Sequence, residues 1–141
     1  MSLVRDGMLS DPAALPADAT AQDAGEHLTR PDVRAVLVVD GNGLLLGVVT
    51  ASLLVEHVVA AGLDPGSTPV TAAVAAPPLV LDADQLLDDG YRLLEEAEVE
   101  RAPVLEQGRL VGVLSRSVVQ RRLAEDEPEG EEPVEDAPSS R

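Results

Sequence analysis

Apolar residues along this chain fall into short blocks that switch between strand-like runs and helix-like spacing. Ala35 to Val39 is a continuous aliphatic run, as a strand covered on both faces requires, and Leu44 to Val49 is a second. Between them lies Asp40-Gly41-Asn42-Gly43, a turn sequence, so the two runs read as a hairpin. Apolar residues at 53, 54, 55, 58 and 59 then predict a helix over Ser52–Ala61, with Gly62 placed to end it. Upstream, Ala14-Leu15 predicts a short strand. Asp18 and Thr20 offer capping oxygens for a short helix running to about Thr29, and Pro31 stops it. Val4 to Ala13 is an entry segment with apolar Val4, Met8 and Leu9.

The second half repeats this order. Leu79–Leu81 predicts a strand, and Asp84 is placed to cap a helix over Gln85–Glu98. Ala102–Leu105 and Leu110–Leu114 form a hairpin around Gln107-Gly108, and a final helix covers Ser117–Glu125. Leu44 to Ser52 and Arg109 to Ser117 are two versions of one stretch, with Gly47 and Gly112 at the same place 65 positions apart, as are Thr50 and Ser115. Upstream of the hairpin loop the offset is 66, pairing Val4 with Val70, Pro12 with Pro78, Asp23 with Asp89 and Leu28 with Leu94. The single-residue difference falls in the loop, where length varies at little cost. The expected fold class is α/β (α+β): two β-α-β-β-α repeats packed with pseudo-two-fold symmetry. The first repeat spans 2–62, a linker 63–69, the second repeat 70–125 and an acidic tail 126–141. A half of roughly 60 residues is marginal for burying a core alone, so the halves are expected to pack together.

Composition narrows the chemistry. The chain of 141 residues is 45% hydrophobic with no Phe or Trp and one Tyr, so the core must be Leu, Val and Ala. There is no cysteine, which removes disulfides and thiolate metal sites. No apolar run approaches the roughly 18 residues of a membrane span, and no signal-peptide pattern opens the chain, so a cytoplasmic protein is expected. The net charge is −16; Glu125 to Arg141 holds eight acids and one Arg (−8 + 1 = −7), leaving −9 elsewhere. Such a surface disfavours nucleic acid, and the Pro- and acid-rich tail is expected to be disordered. His27 and His57 sit in different repeats away from any metal-ligand cluster, and Ser52 and Ser117 lack a histidine base, so neither a metal nor an enzyme is expected. Glu95, Glu96, Glu98 and Glu100 read as a solvated helix face.

Two stretches, Leu37-Val38-Val39-Asp40 through Gly47-Val48-Val49-Thr50 and Pro103-Val104-Leu105-Glu106 through Gly112-Val113-Leu114-Ser115, resemble the hallmark of CBS domains. Over roughly residues 2 to 124 the chain is similar to a stand-alone tandem pair of them, a Bateman module. The resemblance implies clefts that bind adenosine-containing ligands such as AMP, ATP or S-adenosylmethionine, with Thr50 and Ser115 contacting phosphate at helix N-termini. The same hydroxyls also suit plain helix capping, and the residues leave both readings open. Arg116, directly after Ser115, is a candidate phosphate contact or a solvated surface charge. Three residues after each hydroxyl, the family usually places an Asp that holds the ribose; here those positions are Leu53 and Val118, which accept no hydrogen bond. Losing that partner costs on the order of 1–3 kcal/mol, roughly ten- to a hundredfold in affinity. Leu53 and Val118 are expected to serve as core or helix-packing residues instead. The resemblance implies a non-catalytic regulatory, ligand-sensing module acting on a protein partner that the sequence does not identify. The alternative is a ligand-free dimeric scaffold. A homodimer joined through its helices is expected on either reading, partly by resemblance and partly because the apolar positions of Ser52–Ala61 exceed one core-facing stripe.

Overall fold

The computed structural model describes residues 1–125; the tail expected at 126–141 lies outside them. In order, the elements are α1 (Val4–Gly7), β1 (Leu9–Ser10), β2 (Ala14–Pro16), α2 (Ala21–Leu28), β3 (Val36–Val39), β4 (Leu45–Val49) and α3 (Ala51–Leu54). α3 widens into a π-turn over Val55–Val59, and a 3-10 turn follows at Val70–Ala73. The second half contributes β5 (Leu81–Asp82), α4 (Leu87–Ala97), β6 (Arg101–Glu106), β7 (Arg109–Ser115) and α5 (Arg116–Glu125).

The two halves follow one plan. In each, a short strand runs parallel to the first hairpin strand, β2 to β3 and β5 to β6, and the hairpin closes antiparallel. Both hairpins slip register at the same place, between Val38 and Val39 and between Val104 and Leu105. At the first turn Asp40 Oδ1 accepts from the N–H groups of Asn42 and Leu44, and Gly43 takes φ +84° to complete the longer loop. The hairpin tips meet at the middle of the molecule. Leu45 N–H donates to the Gly108 carbonyl at 3.1 Å, and Leu110 N–H donates to the Gly43 carbonyl at 3.0 Å.

The entry segments are exchanged between the halves. β1 leaves the first repeat and pairs with β7 of the second, Leu9 opposite Val113 and Ser10 opposite Gly112. Reciprocally, Ala75 pairs with Val48 of the first repeat, each N–H donating to the other's carbonyl at 2.9 Å. The same crossing recurs at the helix starts. Val4 N–H donates to the Gln85 carbonyl and Val70 N–H to that of Ala19; Leu87 N–H donates to the Ser2 carbonyl and Ala21 N–H to that of Thr68, all within 2.8–2.9 Å. Every one of these pairs is related by the repeat offset, 66 residues before the hairpin loop and 65 after it, so the symmetry is carried by backbone hydrogen bonds and not by sequence alone. Arg5 adds a contact with no counterpart, since Thr71 occupies the matching position. Its guanidinium bridges Asp84 and Glu106, whose hydrogen bonds drive its pKa still further above the usual arginine range.

The exchange also builds the cores. Val4 is buried among Leu81, Leu87, Leu94, Val104 and Leu114 of the second repeat, while Val70 is buried with Ala24, Val38, Val49 and Val58 of the first. The first core is made of Ala and Val, whereas all four fully buried Leu side chains lie in the second. By apolar area the second half is the better-filled one. As expected from composition, the buried core residues are Leu, Val and Ala, with Tyr91 packing against the second core from its edge.

Several sequence expectations shift. Asp84 does not cap α4; it turns to Arg5, and the helix begins at Leu87 after an N-cap with no side-chain bond. The helix drawn over Ser52–Ala61 is α-helical only to Leu54, because Ala60 N–H reaches back five residues to the Val55 carbonyl. Thr20, not Asp18, caps α2, in a reciprocal box with Asp23.

The exchanged segments pass so close to the hairpins that a side chain would not fit. A Cβ at Gly47, whose φ is +151°, would overlap the Ala75 carbonyl oxygen; one at Gly112 would lie 2.8 Å from the Leu9 carbonyl oxygen and overlap Met8. Gly47→Ala and Gly112→Ala are therefore each expected to lower stability by about 2 kcal/mol or more in urea unfolding. Gly41→Ala, with open space around its Cα, is expected to stay within about 0.5 kcal/mol of wild type.

Candidate functional site

Each repeat's second hairpin strand ends on a hydroxyl residue that opens a helix, which fixes where the candidate residues lie. Thr50 is extended and its Oγ accepts from Leu53 N–H at 3.3 Å; Ser115 Oγ accepts from Val118 N–H at the same distance. Both hydroxyls thus act as N-caps, satisfying one of the free N–H groups of the first turn. Thr50 Oγ also lies 3.3 Å from Ser52 Oγ. Capping leaves each hydroxyl its proton and a second lone pair, one of which Thr50 uses with Ser52.

The two positions differ in what surrounds them. At α5 the Arg116 N–H donates to the Glu100 carbonyl at 2.7 Å, and the Ser117 N–H donates to the Glu100 carboxylate at 3.3 Å. The other oxygen of that carboxylate is 3.9 Å from Arg116 Nε, with both side chains partly exposed. The first three N–H groups of α5 are therefore all taken by Glu100 and Ser115. Glu100 is not on a solvated helix face, as its place in an acidic run suggests: α4 ends at Glu98 in a left-handed turn, and Glu100 follows beside the start of α5. The signal that finds it is the repeat itself, since 66 residues upstream stands Arg34, a cation in the matching position. Arg34 is exposed, and Ala51 takes the place of Arg116. Among the described residues no carboxylate accepts from the first N–H groups of α3.

Leu53 and Val118 also part company. Leu53 is half-buried and packs against the first-repeat core, as expected, but Val118 is 40% exposed and it is Val119 that enters the second core. Ser115 ends β7, with Arg116 and Val118 in the first turn of α5; Thr50 caps α3, which holds Leu53; the two groups follow strands of different sheets.

Among the described residues, two of the shallow cavities open to solvent do not include these hydroxyls. One of about 340 Å³ lies between Val80–Asp82, Gln85 and the second hairpin tip; the other, about 320 Å³, runs between α2 and the π-turn over Ala21, Gly25, Leu54, Val58 and Val59. Among the described residues no group of three or more His, Cys, Asp or Glu is placed to hold a metal ion. No helix among them is long and apolar enough to cross a membrane.

The model of the CBS domain family matches the chain twice, over residues 4–60 and 70–125. CBS domain-containing protein YhcV of Bacillus subtilis is 29% identical over 115 residues, covering 82% of this chain and 81% of that protein. Among solved structures, CBSX2 in complex with AMP is similar with 27% identity and a TM-score of 0.70, over 89% of this chain and 98% of that one. Hypoxic Response Protein I with two coordinated zinc ions is 25% identical with a TM-score of 0.72, over 86% and 99%.

The different burial of the two apolar positions gives a direct expectation. Leu53→Asp should cost about 1–3 kcal/mol in chemical denaturation, because a carboxylate replaces core packing. Val118→Asp, at an exposed first-turn position favoured by the helix dipole, should change stability by no more than about 0.5 kcal/mol.

Proposed function

This chain belongs to the CBS domain family, with two such units in tandem, and on that premise we propose that it is a non-catalytic regulatory module. It senses an adenosine-type ligand weakly and passes the state of its cleft to a partner protein. We place the first unit at 2–62 and the second at 70–125, joined by 63–69 and followed by the acidic tail 126–141. The observation that carries the reading is the symmetry of Thr50 and Ser115, each opening a helix after the same hairpin strand. The AMP bound by the similar CBSX2 supports an adenosine-type ligand class for this reading. Thr50, Ser115 and Arg116 are the phosphate contacts of this reading, and Leu53 and Val118 stand where the ribose acceptor is missing.

The residues present fit AMP poorly. Neither ribose position accepts a hydrogen bond, and Arg116 is already turned to Glu100. They fit zinc no better, for want of a ligand cluster among the described residues. That poor fit favours the second reading, a ligand-free dimeric scaffold. Both readings involve a homodimer built through helices. Val55 and Val59, 56% and 65% exposed, and Val118 leave aliphatic surface on the helices after the hydroxyls.

Calorimetric titration separates the readings. We expect AMP, ATP and S-adenosylmethionine to bind more weakly than micromolar, with Val118→Asp tightening AMP by roughly tenfold. Micromolar binding by wild type would show that the missing acid matters little, and no binding even with the acid restored would leave the scaffold. For assembly, sedimentation equilibrium is expected to give twice the 14.7 kDa chain mass. Val55→Glu combined with Val59→Glu should return the monomer.

A further inference from the structure

We infer that the second repeat carries its own anion: the Glu100 carboxylate occupies the start of α5 and holds the Ser115–Arg116 position closed to external phosphate. The inference rests on the reading of Ser115 and Arg116 as phosphate contacts, and adds how that position is regulated.

Three observations converge on one side chain. The Glu100 backbone carbonyl takes the first N–H of α5, from Arg116, at 2.7 Å. Its carboxylate takes the second, from Ser117, at 3.3 Å. The same carboxylate lies 3.9 Å from Arg116 Nε, pairing the one side-chain cation of that turn. With Ser115 Oγ accepting from Val118 N–H, the first turn has no N–H left for a ligand. A phosphate at this place would have to displace a carboxylate, lose the Arg116 contact to it, or sit beside a like charge. The first repeat has the opposite sign at the matching residue, Arg34, so the closure belongs to one repeat only.

The closure is reversible. Glu100 and Arg116 side chains are 49% and 36% exposed, and such solvent-screened pairs hold weakly. An anion of higher charge or concentration can therefore exchange with the carboxylate. Removing the carboxylate should raise affinity for a phosphate at α5 about tenfold, the scale of one unfavourable charge a few ångströms away and largely screened by solvent.

The test uses ¹⁵N-labelled full-length protein titrated with AMP and, separately, with inorganic pyrophosphate, which needs no ribose acceptor. Wild type, Glu100→Gln and Glu100→Ala are compared, the alanine variant because a glutamine oxygen still accepts from Ser117. We expect the Ser117 and Val118 amide signals of wild type to stay in place at low-millimolar pyrophosphate. In the alanine variant they should shift with an affinity about tenfold tighter or more, and adding Arg116→Ala should abolish the gain. Equal shifts in wild type and variant would overturn the inference, and so would amides that stay in place in all three proteins. Signals around Thr50 in the AMP spectra report separately on ligand sensing, so either idea can fail without the other. Glu100 is exposed, and far-UV circular dichroism of each variant verifies that the fold persists.

Discussion

Gly47 and Gly112 leave a bare stretch of backbone in the middle of each second hairpin strand, and each receives the entry segment of the other repeat there. A β-carbon at either place would collide with the backbone or side chain passing over it. From that close approach follow the antiparallel pairing of β1 with β7 and of Ala75 with Val48. The burial of Val4 and Val70 in each other's repeats follows too. Each core is thus completed by chain from the other half. A repeat of roughly 60 residues is marginal alone, and the exchange adds Val4 and Val70 to cores of Leu, Val and Ala. The hairpin tips add two backbone hydrogen bonds at the centre, and Arg5 adds a charged contact on one side only.

Much of this was legible in the sequence, and the reason is the repeat. Hairpins, short entry strands and paired glycines are local patterns, and finding each twice at 65 or 66 residues removed most of the ambiguity of a single copy. The exchange itself was not legible. Val4 and Val70 match in either arrangement, and periodicity says that a residue is buried without saying in which half. The π-turn at Val55–Val59 also escaped, because α- and π-turns bury similar apolar positions until the next element fixes the register. Asp84 looked like a cap because its local sequence suits one; a long-range contact to Arg5 won instead.

At the candidate site, the sequence located the hydroxyls, the missing acids and Arg116 in the second repeat alone, but treated Leu53 and Val118 as equivalent. The structure makes them different. Leu53 packs and Val118 does not, so the same absent carboxylate arises from a core requirement in one repeat and from none in the other. Glu100 was hidden in an acidic run whose members otherwise face solvent. Only the turn after Glu98 brings it to the start of α5. The starts of α3 and α5 thus differ in charge: exposed Arg34 stands in the first repeat where the second has Glu100 beside Arg116.

The central structural claim is that reciprocal exchange makes the two repeats one cooperative unit. Native-state hydrogen exchange tests it most directly, through the amides of Val48 and Ala75 in one crossing and the core strands β3 and β6 in the two halves. If the account holds, these amides open together with one free energy that falls in parallel as denaturant is added. If instead the strands of the first repeat, with its Ala and Val core, exchange at a separate lower free energy while β6 and β7 remain protected, the repeats are independent and the account is contradicted.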